Sequence, residues 1–211
     1  MYDYAQKVGS RKIVAVNKNM KFHFFSMISR MKYINRWGLM RNTKSENLSE
    51  HSLETAVIAQ ALALIGKKRL NKNIDENKVA SVALYHDASE IITGDLPTPI
   101  KYNSPEIRNS YKEIELSASK RLLNSLPDDL KASYSELLLN EDKEIEKYVK
   151  AADKISAIIK CIEEKKSGNR EFLSAEKTLR DAVKNMNIKE AEIFMEEFLP
   201  SFELSLDEQN I

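Results

Sequence analysis

The chain has 211 residues, which is enough for one domain with a substantial buried core. Its 33 basic and 32 acidic residues nearly cancel, so it has no broad basic field for nucleic acid or an anionic membrane. One cysteine, Cys161, excludes an internal disulfide, and no apolar run approaches the roughly 20 residues of a membrane span. These features predict a cytoplasmic protein that binds neither nucleic acid nor membrane.

In residues 1–21, the cations Arg11, Lys12, Lys18 and Lys21 lie around the short apolar run 13–16, which is too short for a secretory signal. Residues 1–21 are interpreted as an N-terminal extension of unknown role. The whole chain has only five glycines and five prolines, which leave little material for turns, and lysine, glutamate, leucine, alanine and isoleucine dominate. This composition predicts an all-α domain of about eight helices, without a repeat and without a strand.

Apolar spacing predicts a first helix over about 22–34, followed by a polar loop at 39–47. Asn47 and Glu50 resemble a capping box at the start of the next helix. That helix is predicted to bury one stripe and to end at Gly66; the stripe is Leu53, Val57, Ala61 and Leu64.

The remaining helices follow from their start and stop signals. Asp75 is predicted to cap a helix that runs through His86, and Ser104 with Pro105 to open another that ends before Pro127. Further helices are expected from Asp128, over 142–166, over 175–186 and over 188–199. The helix at 142–166 should bury Ile145, Val149, Ala152, Ser156 and Ile159 and end at Gly168.

The most informative stretch is 84–101, where a helix end carries His86, Asp87 and Glu90 among apolar neighbours. On a continuous helix, residues four apart share a face, so His86 and Glu90 are expected to lie together with Asp87 at the edge. Burying such groups is costly unless they are satisfied, and a metal ion satisfies imidazole and carboxylate together. Gly94 would then end the helix beside a stiff loop.

His51, His86, Asp87 and Asp153 lie on three separate helical segments and are the candidate metal ligands. Helical bundles build metal sites from side chains that converge in this way. Two imidazoles and two carboxylates suit Mn, Co, Fe or Zn, with positions left for water and a phosphate oxygen. Such an ion lowers the pKa of its bound water and stabilises charge on the substrate.

Each of these residues also has an ordinary structural explanation. Asp153 can pair with Lys150 or Lys154, and Glu90 with Lys101. His23 and Cys161 are assigned to packing or solvent. Trp37 can be a core aromatic, Arg36 a solvated cation and Asp95 a turn cap. Spacing alone favours the metal site and these alternatives about equally.

Five blocks resemble the bacterial 5'-deoxynucleotidases of the YfbR type, in the HD-domain metal-dependent phosphohydrolase superfamily; they are 34–37, 45–52, 86–90, 93–101 and 200–202. The block from His86 to Lys101 is the most specific. The similarity runs over residues 22–207. It implies one HD-type helical bundle around a metal site, with that range as its domain.

The resemblance implies hydrolysis of deoxyribonucleoside 5'-monophosphates to the deoxynucleoside and phosphate, selective against ribonucleotides. It implies one divalent ion on His51, His86, Asp87 and Asp153. Co²⁺ is the favoured ion, with Mn²⁺, Cu²⁺ or Zn²⁺ as alternatives. It also implies a homodimer.

The resemblance further implies roles for single residues. Glu90 would orient the attacking water or handle protons, and Arg36 would hold the phosphate. Trp37 and Asp95 would read the sugar. The nucleotide would also contact His51, Thr98, Pro99, Ile100 and Lys101. Two other functions stay open: an HD hydrolase acting on an alarmone or a dNTP, and a metal-free nucleotide-binding regulator.

Overall fold

The computed structural model describes residues 22–101 and 103–210, so the predicted extension 1–21 lies outside the described residues. Within those two ranges the chain forms ten α-helices and no β-strand, which confirms the all-α prediction. Eight of the ten have five residues or more, in line with the expected number. None of the described helices is long and apolar enough to span a bilayer.

The α-helices are α1 Phe24–Ile28, α2 Leu48–Arg69, α3 Glu76–Leu84, α4 Glu90–Thr93, α5 Thr98–Lys101, α6 Pro105–Asn124, α7 Asp128–Leu138, α8 Lys143–Lys166, α9 Leu173–Asn185 and α10 Lys189–Glu197. Four 3₁₀ turns complete them, at Ser29–Tyr33, Arg170–Phe172, Leu199–Glu203 and Asp207–Gln209.

The two longest helices, α2 and α8, pack against each other at the centre, with α3, α9 and α10 around them. The predicted inner stripe of α8 is buried throughout: Ile145, Val149, Ala152, Ser156 and Ile159. Helix α8 begins at the cap Asp142 and ends just before Gly168, whose φ of 81° suits a residue without a Cβ. The prediction for this helix is confirmed.

The predicted helix starts are confirmed by their hydrogen bonds. Asn47 and Glu50 form a complete capping box at α2. Asp75 accepts hydrogen bonds from the first turn of α3, and Ser104 from that of α6. Short polar side chains before an apolar run therefore located these helices correctly.

The predicted buried stripe of α2 is wrong. Leu53 and Val57 are 61% and 60% exposed, and Leu64 also lies at the surface. Helix α2 is apolar on nearly every side, so its periodicity could not choose the face that α3 and α8 cover. Gly66 does not end the helix either: a Cβ there would lie 2.7 Å from Oε1 of Glu190, so the glycine leaves room for this buried side chain.

The predicted continuous helix through His86 and Glu90 is also wrong. Helix α3 ends at Leu84, and a new helix begins only at Glu90. The Nδ1 atom of His86 hydrogen-bonds the carbonyl of Ala83 at 2.7 Å, which competes with continuation of the helix. His86 and Asp87 therefore lie on an irregular turn rather than on a regular helix face.

A second, smaller core supports this turn from the other side. It joins Phe24, Ala88, Leu122 and Leu126, so that α1 and α6 pack against the turn. The hydroxyl of Tyr111 in α6 also donates to the carbonyl oxygen of Gly94, just after α4. The turn is irregular in backbone but is packed and hydrogen-bonded on both sides.

A buried ion pair on α8 anchors the loop before α2. Lys160 and Glu164 pair with each other, and both are almost fully buried. Glu164 also accepts hydrogen bonds from the main-chain N–H groups of Thr43 and Lys44. Burial alone would raise the pKa of Glu164, but hydrogen bonds from Lys160, Thr43 and Asn169 outweigh it and hold the pKa well below its usual range.

Glu164→Ala should lower the free energy of unfolding by about 3–5 kcal/mol, because it leaves the Lys160 ammonium buried without its partner. Urea denaturation measures this change. Glu163→Ala removes an exposed neighbouring acid and should stay within about 0.5 kcal/mol of the parent. Equal stability of the two variants would contradict the anchoring role.

Candidate active site

A short antiparallel pairing brings Arg36 and Trp37 to the start of α2. Asn35 bridges to Asn47, and the N–H of Arg36 donates to the carbonyl of Glu46 at 2.9 Å. The N–H of Leu48 in turn donates to the carbonyl of Ile34. The residues after the first 3₁₀ turn are thus fixed beside the first turn of α2.

His51 lies in that first turn and is fully buried. Its Nδ1 atom is 3.0 Å from the hydroxyl of Ser156 on α8, and that hydroxyl donates its own hydrogen to Glu54. The hydroxyl must therefore accept the Nδ1–H of His51, which leaves Nε2 with a lone pair. Thr55 approaches this Nε2 only at 3.4 Å, the long limit of a hydrogen bond.

His86 has its tautomer set in a similar way. Its Nδ1 must donate, because the partner at 2.7 Å is the carbonyl of Ala83. Its Nε2 is buried and has no hydrogen bond to any described residue, although Oδ2 of Asp87 lies 3.2 Å away. Both imidazoles therefore point an unprotonated Nε2 into the same small volume when they are neutral.

The structure brings three of the four predicted ligands into one group, and the fourth, Asp87, lies beside the two imidazoles. One ligand atom each from His51, His86 and Asp153 lies within 4.8 Å of the others. Nε2 of His51 is 3.2 Å from Oδ1 of Asp153 and 3.5 Å from Oδ2 of Asp87. Two imidazole nitrogens beside two carboxylates form a donor set that fits a divalent transition metal, and the unpartnered Nε2 of His86 is a group that such an ion satisfies.

The electrostatics of the cluster favour positive charge. Burial lowers the pKa of His86, but Asp87 and then Asp153 outweigh it and raise the pKa to about 9. Both acids are thus placed to compensate a cation at the imidazole nitrogens.

Glu90 lies next to this cluster at the start of α4 and is buried. Its Oε2 has no hydrogen-bond partner within the described part of the chain, and its Oε1 is 3.8 Å from Nζ of Lys101. Burial, together with the negative charges of Asp87 and Asp95, raises the pKa of Glu90 to about 9. The carboxyl is therefore protonated at neutral pH unless a cation offsets these neighbours.

Arg36 and Trp37 close another side of the site. The Nη2 atom of Arg36 is 3.9 Å from Oδ1 of Asp153, and its Nη1 is 3.3 Å from Oε2 of Glu46. The indole Nε1 of Trp37 donates to the same Glu46 oxygen at 2.9 Å. The main chain of Trp37 lies close enough to Asp95 to offset part of the effect of burial on the pKa of that carboxyl. Burial raises the pKa of Asp95.

The other residues predicted to bind nucleotide lie on α5. Thr98, Pro99 and Ile100 are exposed on this single turn of helix, with Ile100 at 47%. Lys101 is half-buried and pairs with Glu115 at 2.7 Å.

The ordinary structural explanations hold for His23 and Cys161 but not for the pairing of Asp153 with Lys150. Lys150 pairs with Glu146 rather than with Asp153, whose near neighbours are His51 and Arg36. His23 is exposed and Cys161 is a buried core residue, as expected for both.

Three residues of the site were missed in the sequence. Glu54 and Ser156 fix His51, and Glu46 contacts both Arg36 and Trp37. Glu54 follows His51 by three positions and Ser156 follows Asp153 by three, so helical spacing alone could have placed them beside the ligands. Glu46 falls in the family-like block 45–52, but spacing could not reveal its role, because its contacts depend on the pairing of two loop segments.

Solved structures with this architecture define the class of protein. An HD-domain phosphohydrolase from Listeria innocua superposes with a TM-score of 0.72 at 22% identity, covering 89% of this chain and 92% of that one. The HD phosphohydrolase of cyanophage S-2L, bound to dA and one catalytic Zn²⁺ ion, superposes with a TM-score of 0.61 at 19% identity, over 84% and 95% of the two chains. The fold is that of the HD-domain phosphohydrolases.

Sequence comparison narrows the class to one family. Residues 23–202 match the family model described as 5'-deoxynucleotidase YfbR-like. A 5'-deoxynucleotidase from Erwinia tasmaniensis is 48% identical over 88% of this chain and 95% of its own length. One from Vibrio atlanticus is 46% identical over 88% and 97%. The chain belongs to the YfbR-like 5'-deoxynucleotidase family and is a phosphoric monoester hydrolase.

Ser156→Ala should weaken Co²⁺ binding about 10–100-fold, because Nδ1 of His51 loses the acceptor that fixes its tautomer. Calorimetric titration of the metal-stripped protein measures the affinity without reference to activity. Ser119→Ala, at another buried serine on α6, should bind Co²⁺ like the parent. An unchanged affinity in Ser156→Ala would show that this hydroxyl does not position the imidazole.

Proposed function

We propose that this enzyme is a metal-dependent 5'-deoxynucleotidase that hydrolyses deoxyribonucleoside 5'-monophosphates to the deoxynucleoside and phosphate, in preference to ribonucleotides. One observation carries the proposal: His51, His86 and Asp153 converge beside Arg36, so a metal-binding cluster and a phosphate-binding cation share one site. The relatives named 5'-deoxynucleotidase and the dA-bound cyanophage enzyme support the substrate class.

In this proposal His51, His86, Asp87 and Asp153 hold one divalent ion. The fixed tautomers of the two imidazoles support it, since each keeps Nε2 free to ligate. Co²⁺ is the proposed ion, with Mn²⁺, Cu²⁺ or Zn²⁺ as alternatives. When bound, such an ion lowers the pKa of a water molecule and stabilises negative charge on the phosphate.

Arg36 binds the phosphate. Its guanidinium is always charged and presents Nε and Nη2 along one edge, a geometry that matches two phosphate oxygens. The Nε atom has no hydrogen-bond partner among the residues described, and Nη2 has only the distant Asp153. This edge is therefore available to a ligand.

Glu90 positions the attacking water and takes part in proton transfer. It is buried at the start of α4, directly after the turn that holds His86 and Asp87. Its Oε2 has no hydrogen-bond partner among the described residues. Burial raises the pKa of this carboxyl, which suits it to donate a proton to the departing deoxynucleoside oxygen. When neighbouring acids are compensated, the same carboxylate can accept a proton from water.

The sugar is read by Trp37 and Asp95, which lie close to each other. The carboxylate of Asp95 accepts a hydrogen bond from the 3'-hydroxyl, while the indole leaves no room for a 2'-hydroxyl. The nucleotide is also contacted by α5, through Thr98, Pro99, Ile100 and Lys101. His51 contacts it from the side of the metal site. Lys101 leaves its ion pair with Glu115 and pairs with the phosphate when the substrate binds.

We further propose a homodimer built on the exposed face of α2. Leu53, Val57 and Leu64 lie at helical spacing along this face, and all three are exposed in the single chain. A helix that is apolar on nearly every side is normally buried on every side, and a second copy of α2 would cover this stripe.

The domain proposed for this enzyme is 22–207, of which residues 23–202 match the family. A cytoplasmic location belongs to the same proposal, because the lone cysteine is free and buried and therefore fits a reducing compartment.

With Co²⁺, the enzyme should release phosphate from dAMP, dGMP or dTMP about 100-fold faster, as kcat/KM, than from the matching ribonucleotides. Chelation should abolish activity, and Asp153→Ala should lose bound metal in elemental analysis. Arg36→Ala is the matched variant, which should lose activity but keep the metal. Equal rates on deoxy- and ribonucleotides would refute the selectivity, and release of pyrophosphate from dNTPs would favour the alternative HD hydrolase.

Val57→Asp should weaken dimerisation about 100-fold or more, because a carboxylate would be buried without a partner in the apolar interface. Sedimentation velocity over a concentration series measures the dimer fraction. Leu206→Asp changes an even more exposed leucine away from α2 and should leave the dimer intact. A parent protein that sediments as a monomer would refute the proposal.

A further inference from the structure

We propose that Glu46 is a positioning residue that holds the Arg36–Trp37 dipeptide in place and thereby sets the preference for deoxyribonucleotides. The inference rests on the proposed function, since it explains how the selectivity of that same site is built. Glu46 contacts two residues of the site and contributes none of the four candidate metal ligands.

Glu46 makes three contacts with this dipeptide. Its Oε2 accepts hydrogen bonds from Nε1 of Trp37 at 2.9 Å and from Nη1 of Arg36 at 3.3 Å. Its main-chain carbonyl accepts the N–H of Arg36 at 2.9 Å. The side chains of Glu46 and Arg36 are only 12% and 13% exposed, so the charged hydrogen bond is largely shielded from water.

The contact with Arg36 decides which edge of the guanidinium stays free. Glu46 occupies Nη1, the nitrogen on the side away from Nε. Nε and Nη2 together form the edge that can bind two oxygens side by side. Glu46 is also the strongest of the acids that raise the pKa of Arg36 against the effect of burial. It therefore orients the cation instead of competing for its phosphate-binding edge.

The contact with Trp37 fixes a residue whose backbone is strained. Trp37 has a φ of 60°, in the left-handed region that a bulky side chain rarely adopts and that costs on the order of 1–3 kcal/mol. Glu46 holds its indole N–H, and the indole packs on Phe172 with 5.2 Å between ring centroids. Without Glu46 the indole loses the only hydrogen bond that it makes within the described residues.

Glu46 is itself held from α8. Thr43 and Lys44 donate their main-chain N–H groups to Glu164, and Lys160 donates to the Lys44 carbonyl. The segment two residues before Glu46 is therefore anchored in the core. A carboxylate on such a segment can fix a side chain to within the fraction of an ångström that discrimination of one hydroxyl requires.

Two conservative variants separate the charge of Glu46 from its reach. Glu46→Gln keeps an acceptor oxygen at the same distance from the indole but removes the charge. Glu46→Asp keeps the charge but withdraws the oxygen by one methylene. If the hydrogen bond to Trp37 sets selectivity, E46Q should keep the ratio of kcat/KM for dAMP over AMP within about threefold, and E46D should lower it about tenfold. If Glu46 had only a structural role, its variants would lower kcat/KM for dAMP and for AMP together and leave this ratio unchanged.

Trp37 supplies a second measurement that does not depend on activity, because it is the only tryptophan of the chain. Acrylamide quenching of its fluorescence should rise about twofold in E46D and stay near the parent value in E46Q. Glu50→Ala is the matched control: it removes an acid from the same cap region that contacts neither Arg36 nor Trp37. It should lower stability by about 1 kcal/mol without changing the ratio or the quenching.

The possible outcomes distinguish the proposed deoxyribonucleotide selectivity from the proposed role of Glu46 in it. A parent enzyme without preference for dAMP refutes the selectivity itself, and the role of Glu46 in it falls as well. A selective parent with an unchanged ratio in E46D refutes the role of Glu46 alone. Equal losses of the ratio in E46Q and E46D would also refute it as stated, because the variant that keeps the acceptor oxygen in place would then be no more selective than the one that withdraws it.

Discussion

The site depends on two hydrogen bonds that fix the tautomers of buried imidazoles. Ser156 accepts from Nδ1 of His51 and the carbonyl of Ala83 accepts from Nδ1 of His86, so both Nε2 atoms turn toward Asp153 and Asp87. Buried polar atoms are costly without hydrogen bonds, and the Nε2 of His86 has none within the described residues, only the contact with Asp87 at 3.2 Å. A cation removes this cost, and the two carboxylates make it electrostatically favourable. The same arrangement that is expensive without an ion is therefore preorganised for one.

Helix α8 connects this centre to the substrate side. Its residues Asp153, Ser156, Lys160 and Glu164 follow one another at intervals of three or four and so lie on one face. The first lies in the metal cluster, the second holds His51, and the last two anchor the loop that leads to Glu46. One polar stripe on a helix with an apolar opposite face thus supports ligand, imidazole and loop at once. Because the helix is rigid, these parts keep a fixed spacing.

Local signals predicted much of the fold correctly. Caps at Asn47, Asp75 and Ser104 located helix starts, and the periodicity of α8 identified its buried face. The failures share a cause. Helix α2 carries apolar residues on nearly every side, so only its neighbours decide that Leu53 is exposed. The break after Leu84 arises from a side-chain hydrogen bond of His86, which competes with the helix in a way that residue propensities do not report.

By itself the sequence determined the helical class, most helix boundaries and, through the blocks shared with a known family, the four candidate ligands. Residue type and spacing are enough for these, because caps and helical periods act over a few positions. Only the tertiary structure decided which face of α2 is covered, which nitrogen of each histidine is free, and that Glu46 holds Arg36 and Trp37. The covered face of α2 depends on packing by α3 and α8, and the free nitrogen of His86 on the turn after α3. His51 and Ser156 are about a hundred positions apart, and no local pattern encodes such a contact.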